Sequence, residues 1–227
     1  MNVFMEKQWH VHALSCGLGY AFLIEAPHGL YLVDSGSPGQ HKIVLSKMRA
    51  LKRTDLKLIW ITHAHYDHYG SAAKLRDITG ALIGVHPADS ESLSRGESPL
   101  GTTRSYGIVF RLGLPLMNRI RPLPATPPDF TLENNETLEK FGLEARVIHT
   151  PGHTPGHTCL QLEDGTVFAG DLLGSFPRPT VQRLLATDWG QLPGSLAALI
   201  SCRPVRVFTG HSPYPIPGDQ LLNLTAG

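Results

Sequence analysis

Cysteine is scarce: Cys16, Cys159 and Cys202 are three among 227 residues, odd in number and scattered. That argues against a disulfide framework and predicts reduced thiols in a cytoplasmic protein. Net charge is nearly absent as well. Basic residues number 20 and acidic residues 19, a balance of +1, which leaves no electrostatic footprint for a nucleic-acid partner. No apolar run approaches the roughly 20 residues of a membrane span, and Met1–Lys7 lacks the apolar core of a signal peptide. No membrane partner is therefore expected. The serine-nucleophile signature G-x-S-x-G is missing too.

What the chain has instead is histidine. The run Ile61-Thr62-His63-Ala64-His65-Tyr66-Asp67-His68 puts three imidazoles and a carboxylate into six residues. It follows the apolar run Leu58-Ile59-Trp60-Ile61, which reads as a buried strand. Metal sites need several lone pairs aimed at one point, and a strand-to-loop turn can aim them. With 12 His in the chain, H-x-H-x-D-H would arise in roughly one shuffled sequence in 700. Without a metal, three clustered imidazoles would repel one another on protonation.

More residues of ligand type follow at long spacing. Val147-Ile148 leads to Thr150-Pro151-Gly152-His153, Val167-Phe168-Ala169 to Gly170-Asp171, and Val205–Phe208 to Thr209-Gly210-His211. Each His or Asp stands just after a strand-like run and a Gly, where a loop can bend a side chain back over the sheet end. The metal-ligand inventory is His63, His65, Asp67, His68, His153, Asp171 and His211. Asp34 either ends a strand in a turn or orients a ligand imidazole through its free N–H. Tyr66 and His157 are divided between packing, support of a ligand and substrate contact. His10, His12, His28 and His41 read as ordinary surface or core residues.

In these motifs, with Asp34-Ser35-Gly36 and Thr154-Pro155-Gly156-His157, the chain resembles the metallo-β-lactamase superfamily of hydrolases, most of all its glyoxalase II and lactonase-like branches. The matching residues stand in family order over about residues 10 to 213. The resemblance implies an α/β (α+β) fold, a four-layer αββα sandwich with mixed sheets. It implies that His63, His65 and His153 hold one metal ion, that Asp67, His68 and His211 hold a second, and that Asp171 bridges them. Asp171 stands where class B lactamases usually carry Cys, which argues against β-lactam hydrolysis. Only 16 residues follow His211, so a C-terminal glutathione clamp of the glyoxalase II type is not expected.

The length fits one domain over residues 1–227. Strands are expected at Val11–Cys16, Tyr20–Glu25, Leu30–Val33, Leu56–Ile61 and Ala81–Val85, with helices over 39–52 and from Tyr69 to Thr79, stopped by Gly80. A second half repeats the theme with strands near 143–149, 157–162, 166–169 and 205–208. Leu192, Leu196, Leu199 and Ile200 mark a helix before the last of them. Residues 86–131 read as a connection with one short helix or as a cap or dimer surface.

The expected function is that of a dinuclear metal-dependent hydrolase. A hydroxide bridging two divalent ions would attack an electrophilic carbonyl, with Asp67 and Asp171 as catalytic carboxylates. Zinc is the default metal for a His-rich site, and iron and manganese also suit His and Asp. The expected substrate is a small molecule with an ester-like bond, a lactone or thioester, acted on by a monomer or homodimer. A mononuclear iron persulfide dioxygenase is the alternative; a nuclease or a β-lactamase of the same superfamily ranks below it.

Overall fold

The computed structural model describes residues 9–105, 107–174 and 178–224; the reading of Met1–Lys7 lies outside them. The chain opens with β1 (His10–Cys16), β2 (Gly19–Ala26) and β3 (Gly29–Val33), paired as an antiparallel meander. Helix α1 (His41–Ala50) then crosses to β4 (Leu56–Trp60), which lies parallel to β3. The short α2 (Tyr66–Tyr69) and α3 (Ala72–Thr79) lead to β5 (Leu82–Val85), parallel to β4. Next come α4 (Pro87–Arg95), β6 (Thr102–Thr103), α5 (Gly107–Ile120) and β7 (Phe130–Thr131). The first sheet thus has the order β1-β2-β3-β4-β5-β7.

The second half supplies β8 (Ala145–His149), β9 (Thr158–Leu162) and β10 (Thr166–Phe168). Three two-residue strands follow: β11 (Leu173–Gly174), β12 (Thr180–Val181) and β13 (Leu185–Ala186). Helix α6 (Leu192–Ser201), β14 (Arg206–Phe208) and β15 (Ile216–Pro217) complete it. The second sheet has the order β15-β14-β10-β9-β8. Its β10–β14 pair is parallel and its other pairs antiparallel, so both sheets are mixed.

Successive side chains of a strand face opposite ways, and here both faces are covered. Phe22, Tyr31, Val33, Leu58 and Trp60 pack between the sheets against Val147, Leu160, Phe168 and Phe208. Their sequence neighbours Leu23, Leu30, Leu32, Ile59 and Ile61 point the other way, onto Val44 and Met48 of α1 and Leu75 of α3. Ile148, Cys159, Val167 and Val207 meet Leu192, Leu196 and Leu199 of α6. Three apolar layers between four layers of structure make an αββα sandwich. Each fully buried Leu or Phe contributes about 1.5–3 kcal/mol. Trp60 Nε1 also donates to Thr158 Oγ1 at 3.3 Å, tying the two sheets together.

Two expectations need correction. The helix expected from Tyr69 to Thr79 starts only at Ala72, cut off from the turn Tyr66–Tyr69 at Gly70-Ser71, and ends at Gly80 as expected. A Cβ on Gly70 would collide with the Pro38 ring and lie 2.6 Å from the Tyr66 carbonyl oxygen. Ser71 instead donates its hydroxyl to the Ser37 carbonyl and accepts from Gln40 N–H, which ends the first turn against the β3 loop. Residues 86–131 hold two helices rather than one short helix. Gly113 and Pro115 sit inside α5, and two poor helix formers in its middle are what hide it in the sequence. Ile108, Leu112, Leu116 and Ile120 are exposed on its outer side.

Candidate metal centre

The loops leaving the C-terminal ends of β3, β4, β8, β10 and β14 gather at one end of the sandwich. They carry Asp34, His63–His68, His153, Asp171 and His211 respectively. Three imidazoles meet at one point: His63 Nε2 lies 3.0 Å from His65 Nδ1 and 3.1 Å from His153 Nε2. Beside them, Asp171 Oδ2 lies 3.1 Å from His211 Nε2 and 3.6 Å from His153 Nε2, and Asp171 Oδ1 lies 3.4 Å from His68 Nε2. Asp67 Oδ2 is 3.9 Å from His68 Nε2 and 3.7 Å from His211 Nε2. All seven residues of the inventory therefore converge. Three subsets bring donor atoms within 4.8 Å of one another: His63-His65-His153, His63-His68-Asp171 and Asp67-His68-His211.

The ring nitrogens facing away from this centre are all tied down. His65 Nε2 donates to Pro99 O at 2.9 Å, His153 Nδ1 to Leu185 O at 3.0 Å, and His211 Nδ1 to Leu18 O at 3.0 Å. His68 Nδ1 donates to Asp34 Oδ2 at 2.8 Å, and His63 Nδ1 meets Thr62 Oγ1 at 3.0 Å. A proton held on the outer nitrogen leaves the inner lone pair free for a cation and fixes the ring's orientation. At the centre itself, His68 Nε2 and Asp171 Oδ1 are buried without a hydrogen-bond partner among the described residues. Orphaned buried polar atoms are costly. A divalent cation would satisfy both, so the donor set fits a bound metal.

Electrostatics divide the cluster in two. Burial holds His63, His153 and His65 below the ordinary imidazole range, His63 and His153 well below, and neighbouring imidazoles add to the effect. These three stay neutral, as a metal ligand must. Burial would do the same to His68, but the carboxylates of Asp171, Asp34 and Asp67 outweigh it and raise it well above that range. Asp171 raises His211 to about 9. Burial works against ionisation of Asp171, but His211 and His68 override it and hold its carboxyl well below the usual range. Neither buried thiol competes as a nucleophile: burial pushes Cys16 up to about 11 and Cys159 up to about 12.

The remaining candidates have distinct places. Asp34 stands behind His68, as its orienting reading requires. His157 sits behind Asp171, and its Nε2 accepts the Asp171 backbone N–H at 3.1 Å. Its Nδ1 faces Thr150 O at 3.1 Å, and burial lowers its pKa to about 3. It is a neutral imidazole that positions the backbone of Asp171. Tyr66 turns its hydroxyl away from the centre, donating to Arg121 O at 2.9 Å.

Asp89 is a residue that sequence reasoning missed. Its buried carboxylate accepts from Ala64 N–H at 2.8 Å, Thr154 Oγ1 at 2.7 Å and Gly156 N–H at 2.7 Å. It locks the His63–His65 loop to the His153 loop. Nothing in its local sequence, Pro87-Ala88-Asp89-Ser90, marks it out from a helix-start acid.

Residues 14–211 match the family model of the metallo-β-lactamase superfamily. The chain belongs to that superfamily. It is 30% identical over 158 residues to a hydroxyacylglutathione hydrolase from Shewanella halifaxensis, covering 69% of this chain and 47% of that protein. It is 29% identical over 236 residues to the probable metallo-hydrolase YflN of Bacillus subtilis, covering 92% of this chain and 86% of that one. Among solved structures it is similar to TTHA1623 in a di-iron-bound form, with 26% identity, a TM-score of 0.65, and coverage of 92% and 95% of the two chains. The chain spans about half the length of several curated relatives that it matches. Among the described residues, no helix is long and apolar enough to cross a membrane.

Proposed function

We propose that this metallo-hydrolase cleaves a small ester-like bond, in a lactone or thioester, with two divalent ions held side by side. The observation that carries the reading is the convergence of five imidazoles whose outer nitrogens are all engaged. His63, His65 and His153 would hold one ion and Asp67, His68 and His211 the other, with Asp171 between the two sets, its Oδ2 3.6 Å from His153 Nε2 and 3.1 Å from His211 Nε2. Bound there, the ions would supply a water deprotonated near neutral pH and would polarise the substrate carbonyl. Zinc is the default metal, and the di-iron form of the solved relative makes iron the first alternative.

The chain's own residues have separable tasks. Asp67 Oδ2, at the edge of the cluster, accepts a hydrogen bond from the attacking water and aims it at the carbonyl carbon. Asp171 offsets clustered positive charge. His157 and Asp34 hold Asp171 and His68 in place. Water adds to the carbonyl carbon, the bond to the leaving oxygen or sulfur breaks with its electron pair on that atom, one water proton goes to the leaving atom and the other to solvent. The products are a carboxylate and an alcohol or thiol. The small-molecule substrate and the lack of a nucleic-acid partner rest on the +1 charge and on the site's place at the base of a cavity.

The test is elemental analysis of the purified protein together with a panel of lactones, thioesters, phosphodiesters and β-lactams. Zinc, manganese and iron forms are each assayed. Two ions per chain are expected, with lactone or thioester turnover above β-lactam turnover. A fixed stoichiometry of one would sink the dinuclear reading. Activity confined to an iron form that consumes oxygen with a persulfide substrate would replace hydrolysis by the dioxygenase alternative.

A further inference from the structure

A cavity of about 440 Å³ opens beside the His–Asp cluster. One end is made by His65, Asp67, Asp171 and His211. The walls are different in kind. Helix α5 supplies Phe110, Leu114 and Met117, and the β11–β13 segment opposite supplies Leu173, Val181 and, from the bend before β13, Leu184. Most polar side chains on these walls are already engaged. Ser98 Oγ accepts from Tyr66 N–H at 3.0 Å. Gln182 donates to Asp171 O at 3.2 Å and accepts from Leu184 N–H at 2.7 Å. Arg183 is the one Lys or Arg among the described lining residues, and it is exposed.

A wall of this chemistry selects against charge. A carboxylate, phosphate or peptide group laid along it would lose its water and find few partners. A hydrocarbon chain loses nothing and gains the burial of each methylene. The cavity is of the size that takes up most of a small ligand's surface. We infer that the substrate's acyl part is an uncharged hydrocarbon chain, held between α5 and the β11–β13 strands with its carbonyl at the cluster. This rests on the ester-hydrolase reading for the carbonyl's position. The chain-binding part stands on the cavity itself.

Two measurements separate the inference from that reading. The metal-free protein is titrated with 2-alkanones from 2-butanone to 2-decanone, uncharged probes that cannot be hydrolysed. The metal-loaded enzyme is assayed with p-nitrophenyl esters from acetate to decanoate. Affinity should rise about fourfold per added methylene until the cavity is full, and kcat/KM should rise with it. Leu114→Trp and Leu184→Trp, from opposite walls, should each move the cutoff to shorter chains. The ratio of octanoate to acetate kcat/KM should fall at least about tenfold. Ketone affinity that ignores chain length, or a cutoff unmoved in both folded variants, overturns the inference. Chain-dependent ketone binding with no ester hydrolysed in any metal form would uphold the cavity and sink the hydrolase reading. Ester hydrolysis indifferent to chain length would do the reverse.

Discussion

His68 Nδ1 donates to Asp34 Oδ2 at 2.8 Å, with both side chains almost fully withdrawn from water. The same carboxylate accepts from Thr62 N–H at 2.8 Å and from Thr62 Oγ1 at 2.8 and 3.0 Å. The Thr62 hydroxyl, having given its proton to Asp34, is left to accept from His63 Nδ1. One carboxylate thus orients His68 directly and His63 at one remove. Asp34 adopts a left-handed backbone with φ 57°, which costs a non-glycine residue of order 1 kcal/mol or more. The strain persists because the chain must turn at the end of β3 with this side chain aimed inward.

Removing the carboxylate should show this. Asp34→Ala strips the acceptor from Thr62 N–H and from His68 Nδ1, so both rings lose their fixed orientation. Metal affinity should drop roughly 10- to 100-fold. Thr62→Val removes the hydroxyl between Asp34 and His63 but leaves the Asp34–His68 bond, and should cost less. Metal retained after dialysis against a graded chelator series checks both. Wild-type retention in Asp34→Ala would remove Asp34 from the support of the centre.

Much of this was readable in the chain, for physical reasons. The strands leading into the centre, β3, β4, β8, β10 and β14, are short, dense apolar runs ended by Gly, His or Asp, and both signals are local. His63, His65 and His68 were legible because they cluster, and His153, Asp171 and His211 because each follows such a run. Asp89 was not, because its three partners lie 25, 65 and 67 residues away. Nor was α5, whose helix runs through Gly113 and Pro115, residues that read locally as breakers. The break at Gly70 was hidden because it answers to Pro38, on a separate loop.

Asp89 should matter to stability more than to chemistry. Asp89→Ala leaves Ala64 N–H, Thr154 Oγ1 and Gly156 N–H buried without their acceptor. The expected loss is about 3 kcal/mol, with about 1 kcal/mol for Asp89→Asn, which keeps one oxygen. Urea unfolding of the metal-free protein measures it directly. A loss below 0.5 kcal/mol, as for an ordinary surface position, would contradict the clamp.

Gly210 is a close approach of backbone to the centre. A Cβ there would collide with Asp171 Oδ1 and lie 2.6 Å from His68 Cε1. Gly210→Ala should therefore displace Asp171 and His68 together while leaving the sheets intact. The expected result is a folded protein by circular dichroism with at least one ion lost per chain and activity down at least about a hundredfold. Full metal content and near-normal turnover would show that the loop shifts at little cost.

His86 gives a pH dependence that can be isolated from the metal centre. It caps α4, its Nδ1 accepting from Ala88 N–H at 3.2 Å, and its ring stacks on His149 at 3.9 Å. Burial, with the His149 ring adding to it, lowers its pKa from 6.5 to about 4. In the unfolded chain the ring takes up its proton near 6.5; in the folded protein it stays neutral until about 4. The folded state therefore binds fewer protons in that window, so stability present above pH 6.5 is lost as pH falls towards 4. The loss over that window is of order 1 kcal/mol or more. His86→Asn keeps a capping side chain but cannot titrate. Chemical unfolding of both metal-free proteins at pH 7 and pH 4 should show the wild type losing about 1 kcal/mol more than the variant. Parallel losses would mean that the folded protein accepts the proton as readily as the unfolded chain.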